Sequence, residues 1–157
     1  MSRPASFLLA AALLAPARPA FPADPSPLAE VLLVVDAGTA HVRWGGRREV
    51  VRYLGIAVPQ VHHPVRGAEP FAAEAAEAHF ALVAGKTLRL EFEGAPGRDA
   101  DGALLAYAFL EDGTFLNARL VEEGWAWVVR DPQARRYREL LAGKEAQARA
   151  EKRGIWR

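Results

Sequence analysis

The sequence predicts an α+β fold: a small barrel of five strands with three helices packed against it. Three observations carry this. The elements read in the order strand, strand, strand, helix, strand, strand, helix, helix, a strand number suited to closure rather than to an open sheet. The length of 157 residues is one domain's worth. The composition, 51% hydrophobic and 25% charged, is that of a folded chain and excludes a disordered or collagen-like one.

The chain opens on a weakly positive Met-Ser-Arg-Pro-Ala-Ser, followed by the apolar run Phe7 to Ala15. This has the form of the n- and h-regions of an export signal. Ala15-Pro16-Ala17 has the small-x-small form of a cleavage site, and Ala20 is a second candidate. The apolar run is far short of the roughly 20 residues that span a bilayer. A buried amphipathic helix or an uncleaved anchor is the alternative. Prolines then recur at Pro16, Pro19, Pro22, Pro25 and Pro27, which blocks helix and favours an extended, polyproline-like tether. The expected division is therefore a signal at 1–20, a proline-rich linker at 21–28 and one folded domain at 29–157, secreted or periplasmic.

Residues 30–36 form a short β-branched run, closed by the turn signal Ala37-Gly38. Thr39 to Trp44 is a second strand, and Gly45-Gly46 suits a tight hairpin because glycine tolerates positive φ. Arg48 to Val58 reads as a longer third strand, with Gly55 marking a bulge or barrel corner. From Glu69 to Val83 the period turns helical, with Pro70 allowed in the first turn and Gly85 as a C-terminal cap. Thr87 to Phe92 alternates as a half-exposed strand. After a Gly-, Pro- and Asp-rich turn at 94–102, Leu104 to Leu110 is the fifth strand, with Asp112-Gly113 as a hairpin signal. Phe115 to Glu123 is a short helix stopped by Gly124, and Trp125 to Val129 a short extended piece. Asp131-Pro132 reads as the N-cap and first residue of a long helix to about Arg153. An oligonucleotide/oligosaccharide-binding (OB) barrel fits this order.

The chain contains no cysteine, which excludes a disulfide scaffold, a Cys-ligated metal, a thiol nucleophile and a lipidated-cysteine anchor. Twenty Lys+Arg stand against nineteen Asp+Glu, a formal charge of +1. Loss of Arg3 by cleavage after Ala17 leaves 19 against 19, and loss of Arg18 as well leaves 18 against 19. A neutral or slightly acidic domain does not grip nucleic acid by charge alone.

Several stretches, in order, resemble the staphylococcal nuclease (thermonuclease-like) family. They are Val34-Val35-Asp36-Ala37-Gly38-Thr39, Val51-Arg52-Tyr53 through Pro59, His63-Pro64 with Gly67 to Ala75, Asp101-Gly102 with Leu105-Ala106-Tyr107, Leu116 to Gly124, and Lys144 through Trp156. The resemblance runs from about Val31 to Trp156. It implies an OB barrel and calcium-dependent hydrolysis of DNA and RNA. That chemistry uses carboxylates on a hard cation, a glutamate that activates water, and two arginines that neutralise the phosphate.

Position by position, the resemblance leaves most of that machinery out. The first calcium ligand falls on Gly38, with Asp36 and Thr39 of the same turn retained. The second falls on Ala57, followed by Val58 and Pro59, and the catalytic glutamate falls on Gln60. Arg52 matches the first phosphate arginine, but the second falls on Ala103. The aromatic patch falls near Val129 to Asp131, which holds no tyrosine. Arg52 is thus the one catalytic residue carried over, Asp36, Thr39 and Gln60 are ligand-binding candidates, and no metal or other cofactor is expected.

Each remaining candidate has a plainer reading. Arg52 can bridge barrel and helix, and Asp36 can bond its own hairpin turn. His62 and His63 are adjacent and point opposite ways when extended; one of them with Asp36 or Glu69 is the zinc alternative. Asp99, Asp101, Glu111 and Asp112 read as turn chemistry. Trp125, Trp127 and Trp156 read as a seam between barrel and last helix, with base or sugar stacking as the alternative. Arg135-Arg136-Tyr137-Arg138 reads as part of a salt-bridged helix face, with Glu145–Arg149 at i,i+4. The expected protein is an exported monomer that has lost nuclease chemistry and binds single-stranded nucleic acid or a nucleotide weakly, if at all. The alternative is a working phosphodiesterase with a shifted metal site using Arg52 and Asp36.

Overall fold

The structure, a computed structural model, describes residues 27–157. The expected signal and most of the linker lie outside the described residues. Strand β1 (Ala29–Asp36) pairs antiparallel with β2 (Thr39–Trp44), and β2 with β3 (Arg47–Tyr53). The start of β1 pairs with β5 (Thr87–Glu91), and β5 pairs with β7 (Leu104–Leu110). A parallel contact of β3 with β7, Val51 opposite Leu104 through Tyr53 opposite Ala106, closes the five principal strands into a barrel. A two-residue strand, β6 (Gly97–Arg98), lies within the 94–102 turn and pairs with β7.

The third strand is shorter than its sequence implies. The chain turns at Leu54-Gly55, and Ile56–Ala57 leaves as a separate strand, β4, paired with β8 (Trp127–Val128). Gly55 has φ of +77°, and a Cβ there would stand 3.1 Å from Leu141 Cδ1. The corner therefore needs glycine for its backbone and for the helix packed over it.

Helix α1 (Ala72–Val83) starts three residues later than expected, because Phe71 takes a left-handed conformation (φ +65°) that no helix can pass through. Helix α2 (Leu116–Glu122) falls where the sequence puts it. Helix α3 (Arg138–Ala150) starts seven residues after Asp131. Asp131 closes a turn, its carboxylate accepting Gln133 N–H at 2.8 Å and its carbonyl accepting Ala134 N–H at 3.0 Å. Glu93 Oε1 then takes the N–H groups of Arg135 and Arg136 at 2.7 and 2.5 Å, which keeps that stretch out of a helical ladder. The tail returns to the end of α2, where Ile155 N–H donates to Gly124 O at 2.8 Å. No helix among the described residues is long and apolar enough to cross a membrane.

The core fills the barrel with Val42, Val51, Leu88, Leu90 and Leu104, and extends to Leu116, Leu120 and Leu141 on α2 and α3. A second cluster of Leu54, Tyr107, Phe109 and Ala134 lies against Phe115 and Tyr137. There Phe109 and Phe115 stack at 4.6 Å, and Tyr107 meets Tyr137 edge-on at 4.7 Å. Trp125 packs against the main core, and Trp156 lies under the Arg149 guanidinium at 3.8 Å. Trp127 instead lines a surface pocket.

Candidate functional site

The barrel's topology brings together the β1–β2 turn, the end of β3 and the residue after β4. Thr39 lies opposite Arg52 in the β2–β3 ladder, and Tyr53 N–H donates to Gly38 O at 2.9 Å. Gly38 faces Val58: a Cβ built on it would stand 3.2 Å from Val58 Cγ1. Three of the four sequence-derived residues, Asp36, Thr39 and Arg52, therefore belong to one neighbourhood. Gln60, two residues beyond Val58, is exposed, and its backbone rather than its side chain is engaged: its N–H donates to Glu69 Oε2 at 2.9 Å.

Asp36 behaves as a turn residue. Its Oδ1 accepts the Gly38 N–H at 2.8 Å. Beneath it lies a buried relay that the sequence does not announce. His79 on α1 is fully buried, with Nδ1 2.7 Å from the Asp36 carbonyl and Nε2 2.8 Å from the Tyr53 hydroxyl. A carbonyl can only accept, so Nδ1 carries the proton and the Tyr53 hydroxyl donates to Nε2. Burial pushes the His79 imidazole below its usual pKa, outweighing the Asp36 carbonyl and carboxylate, which act the other way. Burial likewise pushes the Tyr53 phenol well above its usual range. Thr39 is buried at 6% exposure.

Arg52 is half-exposed and paired. Its guanidinium pairs with the Asp99 carboxylate and lies 3.5 Å from Asp101. These contacts tie β3 to the 99–103 turn, not the barrel to a helix. Asp99 is fixed for this by its other oxygen, which accepts the N–H groups of Asp101 (3.0 Å) and Ala103 (2.9 Å). Ala103, where the resemblance places a second arginine, is buried at 3% exposure. The nearby Arg98 is also occupied, forming a fork on Glu49 at 2.7 and 2.9 Å. That contact holds the Glu49 carboxyl below the usual carboxylate range.

The other candidates resolve as local structure. His63 Nδ1 accepts the N–H groups of Val65 and Arg66 at 3.2 and 3.1 Å. Asp112 accepts Thr114 N–H at 2.9 Å, and Glu111 accepts the Thr87 hydroxyl. Among the described residues, no three His, Asp or Glu side chains gather as metal ligands. The Glu145–Arg149 pair forms at 3.6 Å, and Glu145 also accepts Val128 N–H at 3.0 Å.

Two carboxylates that sequence reasoning passed over organise the 131–137 segment. Glu93 Oε1 accepts from Tyr107 Oη at 2.8 Å as well as from the two backbone N–H groups. Glu91 accepts from Tyr137 Oη at 2.7 Å and pairs with Arg89 at 2.5 Å and Arg136 at 3.3 Å. Burial opposes its ionisation, but these partners hold the Glu91 carboxyl below the usual range. Alternation puts Glu91 and Glu93 on one face, yet nothing local names partners more than forty residues away. A cleft of about 440 Å³ lies beside them, lined by Leu54, Leu105, Gln133 and Arg135 among others.

The staphylococcal nuclease homologue family matches residues 50–157. The chain is 35% identical over 124 residues to the SPbeta prophage-derived endonuclease YokF of Bacillus subtilis (strain 168), covering 78% of this chain and 41% of that protein. It is 32% identical over 124 residues to endonuclease YncB of the same organism, covering 78% of this chain and 58% of that protein. A thermonuclease of Staphylococcus intermedius is 29% identical over 123 residues, covering 78% of this chain and 72% of that protein. The chain thus spans about half the length of the two Bacillus relatives.

Proposed function

This chain belongs to the staphylococcal nuclease homologue family, and on that premise we propose that it has lost calcium-dependent nuclease chemistry and acts as a binding or structural module. The observation that carries this reading is the packing at the turn. Where the resemblance calls for a calcium carboxylate, Gly38 meets the methyl groups of Val58. A hard cation needs oxygen ligands. Gly38, Ala57 and Val58 offer none from their side chains, and the nearest carboxylate oxygen, Asp36 Oδ1, already accepts a backbone N–H. The residues present do not fit the group.

Two further features support the reading. Gln60 has the reach of a glutamate but cannot take a proton at neutral pH. Arg52 is neutralised by carboxylates of its own chain, so a phosphate would have to displace Asp99 to reach it. Loss of one base or charge stabiliser in such sites costs on the order of 10² to 10⁴ in rate, and these losses fall within one unit, where effects do not add. Any nucleic-acid partner is single-stranded or a nucleotide, held weakly by a domain of nearly balanced charge. Export to the periplasm or the medium is part of the same proposal, resting on the leader pattern of residues 1–20.

The test is digestion of single-stranded DNA and RNA by the purified protein with Ca²⁺, Mg²⁺, Mn²⁺, Zn²⁺ or EDTA. The expected outcome is no metal-dependent cleavage. Cleavage that needs a metal and disappears in Arg52→Ala would overturn the proposal and restore the phosphodiesterase.

A further inference from the structure

The cleft of about 440 Å³ beside the 131–137 segment combines apolar walls with two charged side chains. Leu54, Leu105 and Pro132 form the walls, and Glu93 and Arg135 line it with them. Its volume is in the range of pockets that bury a ligand. Glu93 Oε1 takes all three of that residue's internal bonds, from Tyr107 Oη at 2.8 Å and from the N–H groups of Arg135 and Arg136 at 2.7 and 2.5 Å. Among the described residues, nothing donates to Glu93 Oε2. Burial opposes ionisation of this carboxyl, but the Arg136 N–H, the Tyr107 hydroxyl and the Arg135 N–H hold it below the usual range. The cleft thus keeps an acceptor oxygen on an ionised group at neutral pH.

Arg135 supplies the opposite character. Its Nε donates to Pro132 O at 2.8 Å, which sets the guanidinium against its own loop. Among the described residues no carboxylate pairs with it, whereas the neighbouring Arg136 is taken by Glu91. Its two terminal nitrogens remain as donors. The two groups belong together, because the Glu93 carboxylate is bonded to the Arg135 backbone.

An acceptor oxygen beside a cationic donor, between apolar walls, suits a flat ring whose edge carries donors next to an acceptor. Guanine is the one common base with two such donors, N1–H and N2–H, beside the acceptor O6. Unpaired bases are read along this edge in single strands. We propose that the cleft selects guanine, with Glu93 Oε2 accepting from N1–H and N2–H, Arg135 donating to O6, and Leu54, Leu105 and Pro132 against the ring. Adenine is rejected at both points: its N1 lone pair meets the carboxylate and its N6 amino group meets the guanidinium. The inference rests on the reading of the chain as a module for a nucleotide or single-stranded nucleic acid, and adds which base it takes. Selection by a base edge also suits a domain of nearly balanced charge, since phosphate contacts carry no sequence information.

The test is titration of the ¹⁵N-labelled full chain with guanosine, inosine, adenosine or uridine 5′-monophosphate, in EDTA at pH 7. The guanosine nucleotide is expected to bind about tenfold more tightly than the adenosine one, the worth of a hydrogen bond to a charged group. Inosine, which lacks only the N2 amino group, should fall between them. The shifts should centre on the amides of Gly97, Leu105, Gln133 and Arg135 around the cleft. Glu93→Gln keeps an acceptor for the three internal donors and puts an NH₂ in place of Oε2, so it should erase the preference for guanosine. Arg135→Met keeps the backbone N–H bonded to Glu93 and should lower that preference. Equal affinities for the four nucleotides, shifts centred elsewhere, or a preference that survives Glu93→Gln would overturn base selection and leave nucleotide binding standing. No response to any nucleotide would overturn both. Metal-dependent cleavage in the digestion assay would overturn the loss of nuclease chemistry alone, since the titration is made without metal.

Discussion

Arg52 stands where the resemblance places a phosphate arginine, and it pairs with carboxylates of its own chain. A phosphate reaching this guanidinium competes with the two carboxylates within its reach. The pair is partly exposed, with Arg52 at 45%, so water screens it and its net worth is about 0–1 kcal/mol. It is a lock that a modest change can open. Asp99→Asn combined with Asp101→Asn keeps oxygen acceptors for the turn while removing the charge. The double variant should bind a 3′,5′-bisphosphate nucleotide up to about fivefold more tightly than the parent, measured by calorimetry, the equivalent of ~1 kcal/mol. An unchanged affinity would mean that Arg52 does not face the ligand even when freed.

At the scale of elements, the long stretch between β8 and α3 is held by carboxylates from the barrel. Glu93 gathers one hydroxyl and two backbone N–H groups on a single oxygen. Backbone donors on a non-helical segment need such a partner or water. Glu93→Ala should cost about 1–2 kcal/mol, since the freed N–H groups can partly reach solvent. Hydrogen exchange at Arg135 and Arg136 should quicken well beyond that of the α3 interior. If exchange there stays slow, the segment is held by the Tyr107, Phe109, Phe115 and Tyr137 rings instead. The same element explains why a helix start at Asp131 fails: a local N-cap signal loses to an acceptor, Glu93, just beyond β5.

The whole molecule is joined across its layers by His79, which links α1 to the β1–β2 turn and to β3 through Asp36 and Tyr53. Burial favours the neutral imidazole, with Nε2 accepting from the Tyr53 hydroxyl. Since the folded-state pKa lies below the unfolded value near 6.5, the unfolded chain binds the proton first. Stability is therefore fully present above about pH 6.5 and is lost as pH falls below it. The urea midpoint should decline from pH 7 to pH 5, before the depressed carboxyls of Glu49, Glu91, Glu93 and Glu122 begin to titrate. His79→Gln should be less stable at pH 7 and flatter across that range. A parent midpoint independent of pH there would show that the imidazole is not held neutral.

Local pattern located the strands, through the alternation of β5 and the apolar or β-branched runs of β1 and β7 bounded by turn signals, though not the end of β3. It was enough for α2 and for the bodies of α1 and α3, whose periods follow from burying one face. It also put Gly38, Ala57 and Gln60 where the resemblance places carboxylates and Ala103 where it places an arginine, since side-chain chemistry is visible without coordinates. Tertiary structure alone decided that Arg52 is paired with Asp99, that Glu93 delays α3, that Phe71 breaks the helix start and that a histidine lies beneath the turn. Each depends on a partner far along the chain or on a backbone conformation set by packing. The side chains are readable in the sequence, but their partners are fixed only when β3 closes on β7 and the helices are laid over the seam.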